Sequence, residues 1–103
     1  MANCNRKLPQ ECTNIAEVRN EIDNIDQTII NLLSTRFDYV REVVKYKDNT
    51  AAGIEASDRR AAVIASRRDW AQKAGIDPDV IEQIYKSLIE YFISEEMKIM
   101  KNK

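Results

Sequence analysis

Apolar residues recur at Ile15, Val18, Ile22, Ile25, Ile29 and Leu32, three and four positions apart, and the stripe continues through Arg36, Val40, Val43 and Lys47. That is the helical period, and neither Gly nor Pro interrupts it. Thr13 or Asn14 can cap the start; with Asn14 as the cap, Glu17 is placed to return a bond to it. The first break is DNTAAGIEA, Asp48 to Ala56, where Asn49, Thr50 and Gly53 signal a loop. A second helix is predicted from Ser57, carrying Ala61, Ala62, Val63, Ile64, Ala65 and Trp70, with Gly75 just past its end. Asp77 and Pro78 then restart the chain as cap and first helical residue. The third helix shows Val80, Ile81, Ile84, Leu88, Tyr91, Phe92, Met97 and Met100 and runs almost to the last residue.

This pattern predicts an all-α fold, a three-helix protomer in one domain over residues 1–103, with residues 1–13 as an N-terminal tail. A first helix of about 34 residues extends about 50 Å at 1.5 Å per residue, against a radius of gyration near 13 Å for a compact chain of this size. A seam that is apolar along such a length needs cover. A second copy laid against it supplies that cover, so an intertwined, symmetric homodimer is expected.

Composition narrows the chemistry. The chain has 103 residues, 44% hydrophobic and 32% charged, with only two Gly and two Pro, which agrees with helix and leaves little turn-forming material. Its 16 basic and 17 acidic side chains leave a formal net charge of -1, so no nucleic-acid partner is expected. No apolar run spans a bilayer or resembles a signal peptide, which points to a cytoplasmic protein with no membrane partner. Cys4 and Cys12 both lie in the tail, where a disulfide would staple the tail alone, so reduced thiols are expected. With no His and no clustered Cys, no metal site is expected. There is no Gly-rich phosphate loop.

Two cations on the apolar stripe need a reason. Arg36 and Lys47 point the same way about 16 Å apart along the helix axis and frame Val40 and Val43. One reading has both snorkelling from a packing margin into water. The other is a pocket in a helical bundle, where a guanidinium and an ammonium beside apolar walls receive a small, multiply anionic ligand. Arg19 lies earlier on the helix, about 100° around from Arg36, where it could serve a partner's pocket.

The segment ECTNIAEVRNEIDNIDQTIINLLSTRFDYVREVVKYK resembles the first helix of the all-helical (type II) chorismate mutases, which carry an Arg, a second Arg about two heptads on, and then a Lys. The resemblance runs from about Glu11 to Lys98. Through Glu11-Cys12-Thr13, Asp38-Tyr39-Val40 and Trp70-Ala71 it leans toward the isochorismate-pyruvate lyases of salicylate and siderophore pathways. It implies a dimer with two equivalent sites, each borrowing an Arg from the other subunit. Arg19 matches that borrowed Arg, and Arg36 the Arg that grips a substrate carboxylate. Lys47 matches the Lys that contacts the carboxylate and the breaking ether oxygen, and Arg59 a further cation opening the second helix. Glu96 falls where most relatives have Gln and some have Glu. Asp48 to Ala56 would form a lid over the ligand.

The implied chemistry, rearrangement of chorismate or loss of pyruvate from isochorismate, is pericyclic. It needs no nucleophile, metal or cofactor, so none is expected. The enzyme must hold a flexible dicarboxylate in its folded conformer and stabilise negative charge growing on the ether oxygen. Arginines suit the carboxylates and Lys47 the oxygen. Glu96 can donate a hydrogen bond there only when protonated, which implies activity favoured by mild acidity; the alternative is a solvated residue near a helix end. Mutases follow the Asp-Arg pair with Glu and place Asp two residues before it, both of which help recognise the C4 hydroxyl. Here those positions hold Arg60 and Ala56. The lyases also lack these acids, and they share a bulky aromatic, here Phe92, one turn before the Gln/Glu position. The expected function is an isochorismate-pyruvate lyase with weaker mutase activity. A dedicated chorismate mutase is the alternative, and a non-catalytic helical dimer a third reading.

Overall fold

A computed structural model describes residues 7–46 and 57–101. Among the described residues three helices carry the fold: α1 over Ile15–Val43, α2 over Ser57–Lys73 and α3 over Pro78–Lys101, with short 3-10 turns over Pro9–Glu11 and Val44–Tyr46. Among the described residues there is no strand, and no helix is long and apolar enough to cross a membrane. The chain divides into two compact units, Met1–Arg36 and Phe37–Lys103.

In the first unit the start of α1 is tied down more elaborately than the sequence predicts. Asn14 caps the helix, its side-chain oxygen accepting from the Glu17 N–H at 2.9 Å. Glu17 reaches back one residue further than a capping box requires. Its carboxylate accepts from the Thr13 N–H at 2.8 Å and hydroxyl at 3.1 Å, and pairs with Lys7 at 3.0 Å. The Thr13 N–H, then Lys7 and the Thr13 hydroxyl, hold the Glu17 carboxyl below its ordinary range. From residue 7 onward the N-terminal tail is thus tied to the start of α1. Pro9 opens a 3-10 turn, and the Leu8 N–H donates to the Glu11 carboxylate at 2.9 Å. Cys12 is a free thiol; Cys4 lies outside the described residues.

Much of the stripe along the first part of α1 is exposed among the described residues. Ile15, Val18, Ile22, Ile29 and Leu32 are between 41% and 63% exposed. No residue of α1 is fully buried. The helix ends as an α-helix at Val43 and tightens into the 3-10 turn, shorter than the continuous run to Lys47 that the period predicts. Such tightening is common where a helix terminates.

The second unit contains the core. Val44, Val63, Ala71 and Phe92 are buried, drawn from the 3-10 turn that follows α1 and from both later helices. A Schellman turn ends α2: Gly75 adopts φ 79°, its N–H donates to the Gln72 carbonyl, and the Ile76 N–H donates to Ala71 at 2.8 Å. These bonds satisfy carbonyls that a helix end leaves open, and glycine takes the left-handed conformation without the penalty a Cβ imposes. Asp77 then caps α3 through the Asp79 N–H at 2.9 Å, with Pro78 at the first helical position. Arg68 on α2 bonds both Asp79 and Glu82 on α3 at 2.8 Å, fixing the antiparallel hairpin at its closed end.

Candidate active site

In the first unit Arg19 is exposed and Arg36 half-buried on α1. Arg36 is engaged rather than free. Lys47 and the expected lid, Asp48 to Ala56, lie outside the described residues.

The second unit brings together the apolar wall and the acid. Phe92 is buried on α3, and its ring stacks on Phe37 at 4.9 Å between centroids and 26° between planes. Tyr91 completes the cluster, 6.0 Å from Phe37 and 5.2 Å from Phe92. The Arg41 guanidinium sits 4.3 Å from the centroid of the Phe37 ring, a cation–π contact. Val40 is half-buried near the end of α1. Glu96 follows Phe92 by one turn on the same face of α3 and is only 4% exposed, which removes the reading of a solvated residue near a helix end. A carboxyl withdrawn from water this far requires compensation, and Glu96 is not without a partner.

Arg59, in the first turn of α2, is exposed. Its neighbour Arg60 is half-buried, with a buried Nε that has no hydrogen-bond partner. Among the described residues no group of three or more His, Cys, Asp or Glu could hold a metal ion. Trp70 is 55% exposed, and the Arg67 guanidinium lies 4.6 Å from its ring centroid.

Phe37 was not singled out by the sequence. A signal was present: Leu33, Phe37, Val40 and Val44 share a helical spacing, and these residues are half-buried or buried, whereas Ile15, Val18, Ile22, Ile29 and Leu32 are exposed.

Comparison with known proteins covers this same ground. Residues 18–97 match the family described as chorismate mutase type II. An isochorismate pyruvate lyase of Pseudomonas aeruginosa is 37% identical over 92 residues, covering 89% of this chain and 90% of that protein. A T-protein of Enterobacter agglomerans is 33% identical over 85 residues, 82% of this chain but 23% of the relative. A chorismate mutase of Methanocaldococcus jannaschii is 26% identical over 77 residues, 75% of this chain and 78% of that one. A match of this extent, over helices that carry Arg19, Arg36, Arg59 and Glu96, leads to one conclusion: the chain belongs to the chorismate mutase type II family.

Proposed function

We propose that this enzyme is an isochorismate-pyruvate lyase, converting isochorismate to salicylate and pyruvate, with weaker chorismate mutase activity. The observation that carries the reading is the buried Phe92, stacked on Phe37 one turn before the buried Glu96. An aromatic wall at this point offers no acceptor to a ring hydroxyl, and a buried hydroxyl without a partner is costly. Arg60 in place of the mutases' Glu works in the same direction. Likeness to the Pseudomonas lyase over nine-tenths of each chain supports the same choice.

In this reading Arg36 and the Arg19 of a second copy grip the substrate carboxylates bidentately, and Arg59 adds a cation at the start of α2. Lys47 donates to the ether oxygen as the C–O bond stretches. Val40 and Phe92 supply apolar walls that exclude water and strengthen these contacts. Glu96, when protonated, donates a second hydrogen bond to the same oxygen. The exposed stripe from Ile15 to Leu32 supports a homodimer, because a continuous apolar face on a single helix is normally buried against something.

Incubation with each substrate tests the assignment. Salicylate and pyruvate from isochorismate, with slower prephenate formation from chorismate, are the expected products. Fast prephenate formation with no salicylate would instead establish the dedicated mutase, the reading favoured by the archaeal relative. Glu96→Gln, which donates at any pH, is expected to raise turnover at neutral pH and flatten the pH–rate profile. An unaltered profile would remove Glu96 from the site.

A further inference from the structure

The first turns of α1 have little packing to hold them. Ile15, Val18 and Ile22 are 63%, 41% and 50% exposed, and helix ends with few buried contacts open most readily. Arg19 stands in this stretch, four residues on from Ile15, where α1 opens. A side chain carried on a turn that frays cannot keep the fixed geometry that gripping a carboxylate requires.

What steadies the stretch is a strap formed by the residues before the helix. Pro9–Glu11 makes a 3-10 turn, closed by the Leu8 N–H on the Glu11 carboxylate at 2.9 Å and by the Cys12 N–H on the Pro9 carbonyl at 3.2 Å. The turn brings Leu8, Pro9 and Cys12 to one side of a hollow of about 160 Å³ whose other side is Val18, Ile22 and Ile25 of α1. Lys7 then reaches Glu17 at 3.0 Å, and the same carboxylate accepts from the N–H and the hydroxyl of Thr13. An exposed ion pair contributes little by itself. Here, however, a single carboxylate joins the strap, the residue before the cap and the first turn of the helix. Arg19 is exposed and lies about 160° around the helix from Glu17, so the clasp holds its turn from the side away from it.

We infer that Lys7 and Glu17 are positioning residues for Arg19: by clasping the strap to the first turn of α1 they fix the guanidinium that a second copy uses to hold a substrate carboxylate. The inference rests on the proposed reading of Arg19 as a borrowed arginine. Both residues act through the turn that carries Arg19, and neither meets the substrate. Because the clasp is closed by an exposed ion pair, its hold weakens as salt rises.

Kinetics and amide hydrogen exchange of the intact protein test the inference, using whichever of isochorismate and chorismate the parent turns over, at concentrations where all variants sediment like the parent. Lys7→Gln is expected to raise KM about fivefold with kcat nearly unchanged, the pattern of lost uniform binding, and to speed exchange over residues 15–20 severalfold. Lys7→Arg should restore both. At about 1 M salt, where charges are screened within about 3 Å, the KM of the parent should approach that of Lys7→Gln. In an Arg19→Gln background, where KM is already high, Lys7→Gln should add nothing. An unchanged KM in Lys7→Gln, with or without faster exchange, would reduce the strap to a structural clasp. An equal rise in KM on top of Arg19→Gln would show that it acts through some other group. Either result overturns the inference and leaves the proposed reaction standing. Absence of turnover of both substrates by the parent would instead remove the proposed function, and the role of Arg19 with it.

Discussion

The two units of this chain use similar helical periodicity to opposite ends. In Met1–Arg36 the regular stripe of α1 stands about half exposed, and order comes from polar contacts at the helix start: Asn14, Thr13, Glu17 and Lys7. In Phe37–Lys103 comparable residues close on one another, burying Val44, Val63, Ala71 and Phe92. Periodicity therefore identifies a face that needs covering, and it does not say whether the same chain supplies the cover.

The sharpest way to break the self-covered unit is Phe92→Ala. Removing a buried, stacked ring is expected to cost about 3 kcal/mol or more, read as a lower urea midpoint at unchanged slope. A change within error would mean the aromatic cluster does not hold the unit together. The uncovered unit is addressed by Ile29→Glu, at a residue 48% exposed in the single chain. If a second copy covers the stripe, the substitution weakens association by roughly 2 kcal/mol per copy, and sedimentation should show monomer where the parent is dimeric. An unshifted sedimentation coefficient would mean the stripe is not the interface.

Smaller effects sharpen the contrast. Gly75→Ala meets no neighbouring atom, so its cost is conformational and should be about 1 kcal/mol, from forcing a Cβ into φ 79°. The smallest effect is at Glu17. Because its folded-state pKa is depressed, its stabilising contribution is present above the unfolded carboxylate range and is lost as pH falls through the folded value. Helix content of the parent should therefore decline slightly on acidification in a way that Glu17→Gln, less helical at neutral pH, does not reproduce. Parallel acid curves for the two proteins would show that Glu17 does not govern the start of α1.

Much of this organisation was legible in the residues. Asn14, Gly75 and Asp77-Pro78 marked helix ends because each solves a local hydrogen-bonding or dihedral problem that needs no distant partner. The Lys7–Glu17 pair was missed because it depends on the 3-10 turn between the two residues, whose cue, Pro9 followed by Glu11, is short and weak. Periodicity alone could not assign Phe92 and Glu96 to a buried face of α3, since both fit a stripe that could face either core or water; the family resemblance pointed to them. Arg60 was visible only as a departure from the mutase pattern. Its unpartnered Nε is a property of the packed hairpin, which no spacing rule reports.

The tight link between α2 and α3, closed by the Gly75 turn and the Asp77 cap, also bears on the order of assembly. Its contacts join residues near in sequence, and chains rich in local contacts fold on the microsecond to millisecond scale. Pairing of two long helices from separate molecules is instead second order. If a second copy covers the α1 stripe as proposed, refolding should therefore show a fast phase indifferent to protein concentration, followed by a slower one whose rate rises with it, so that dilution delays catalytic competence while leaving the hairpin formed.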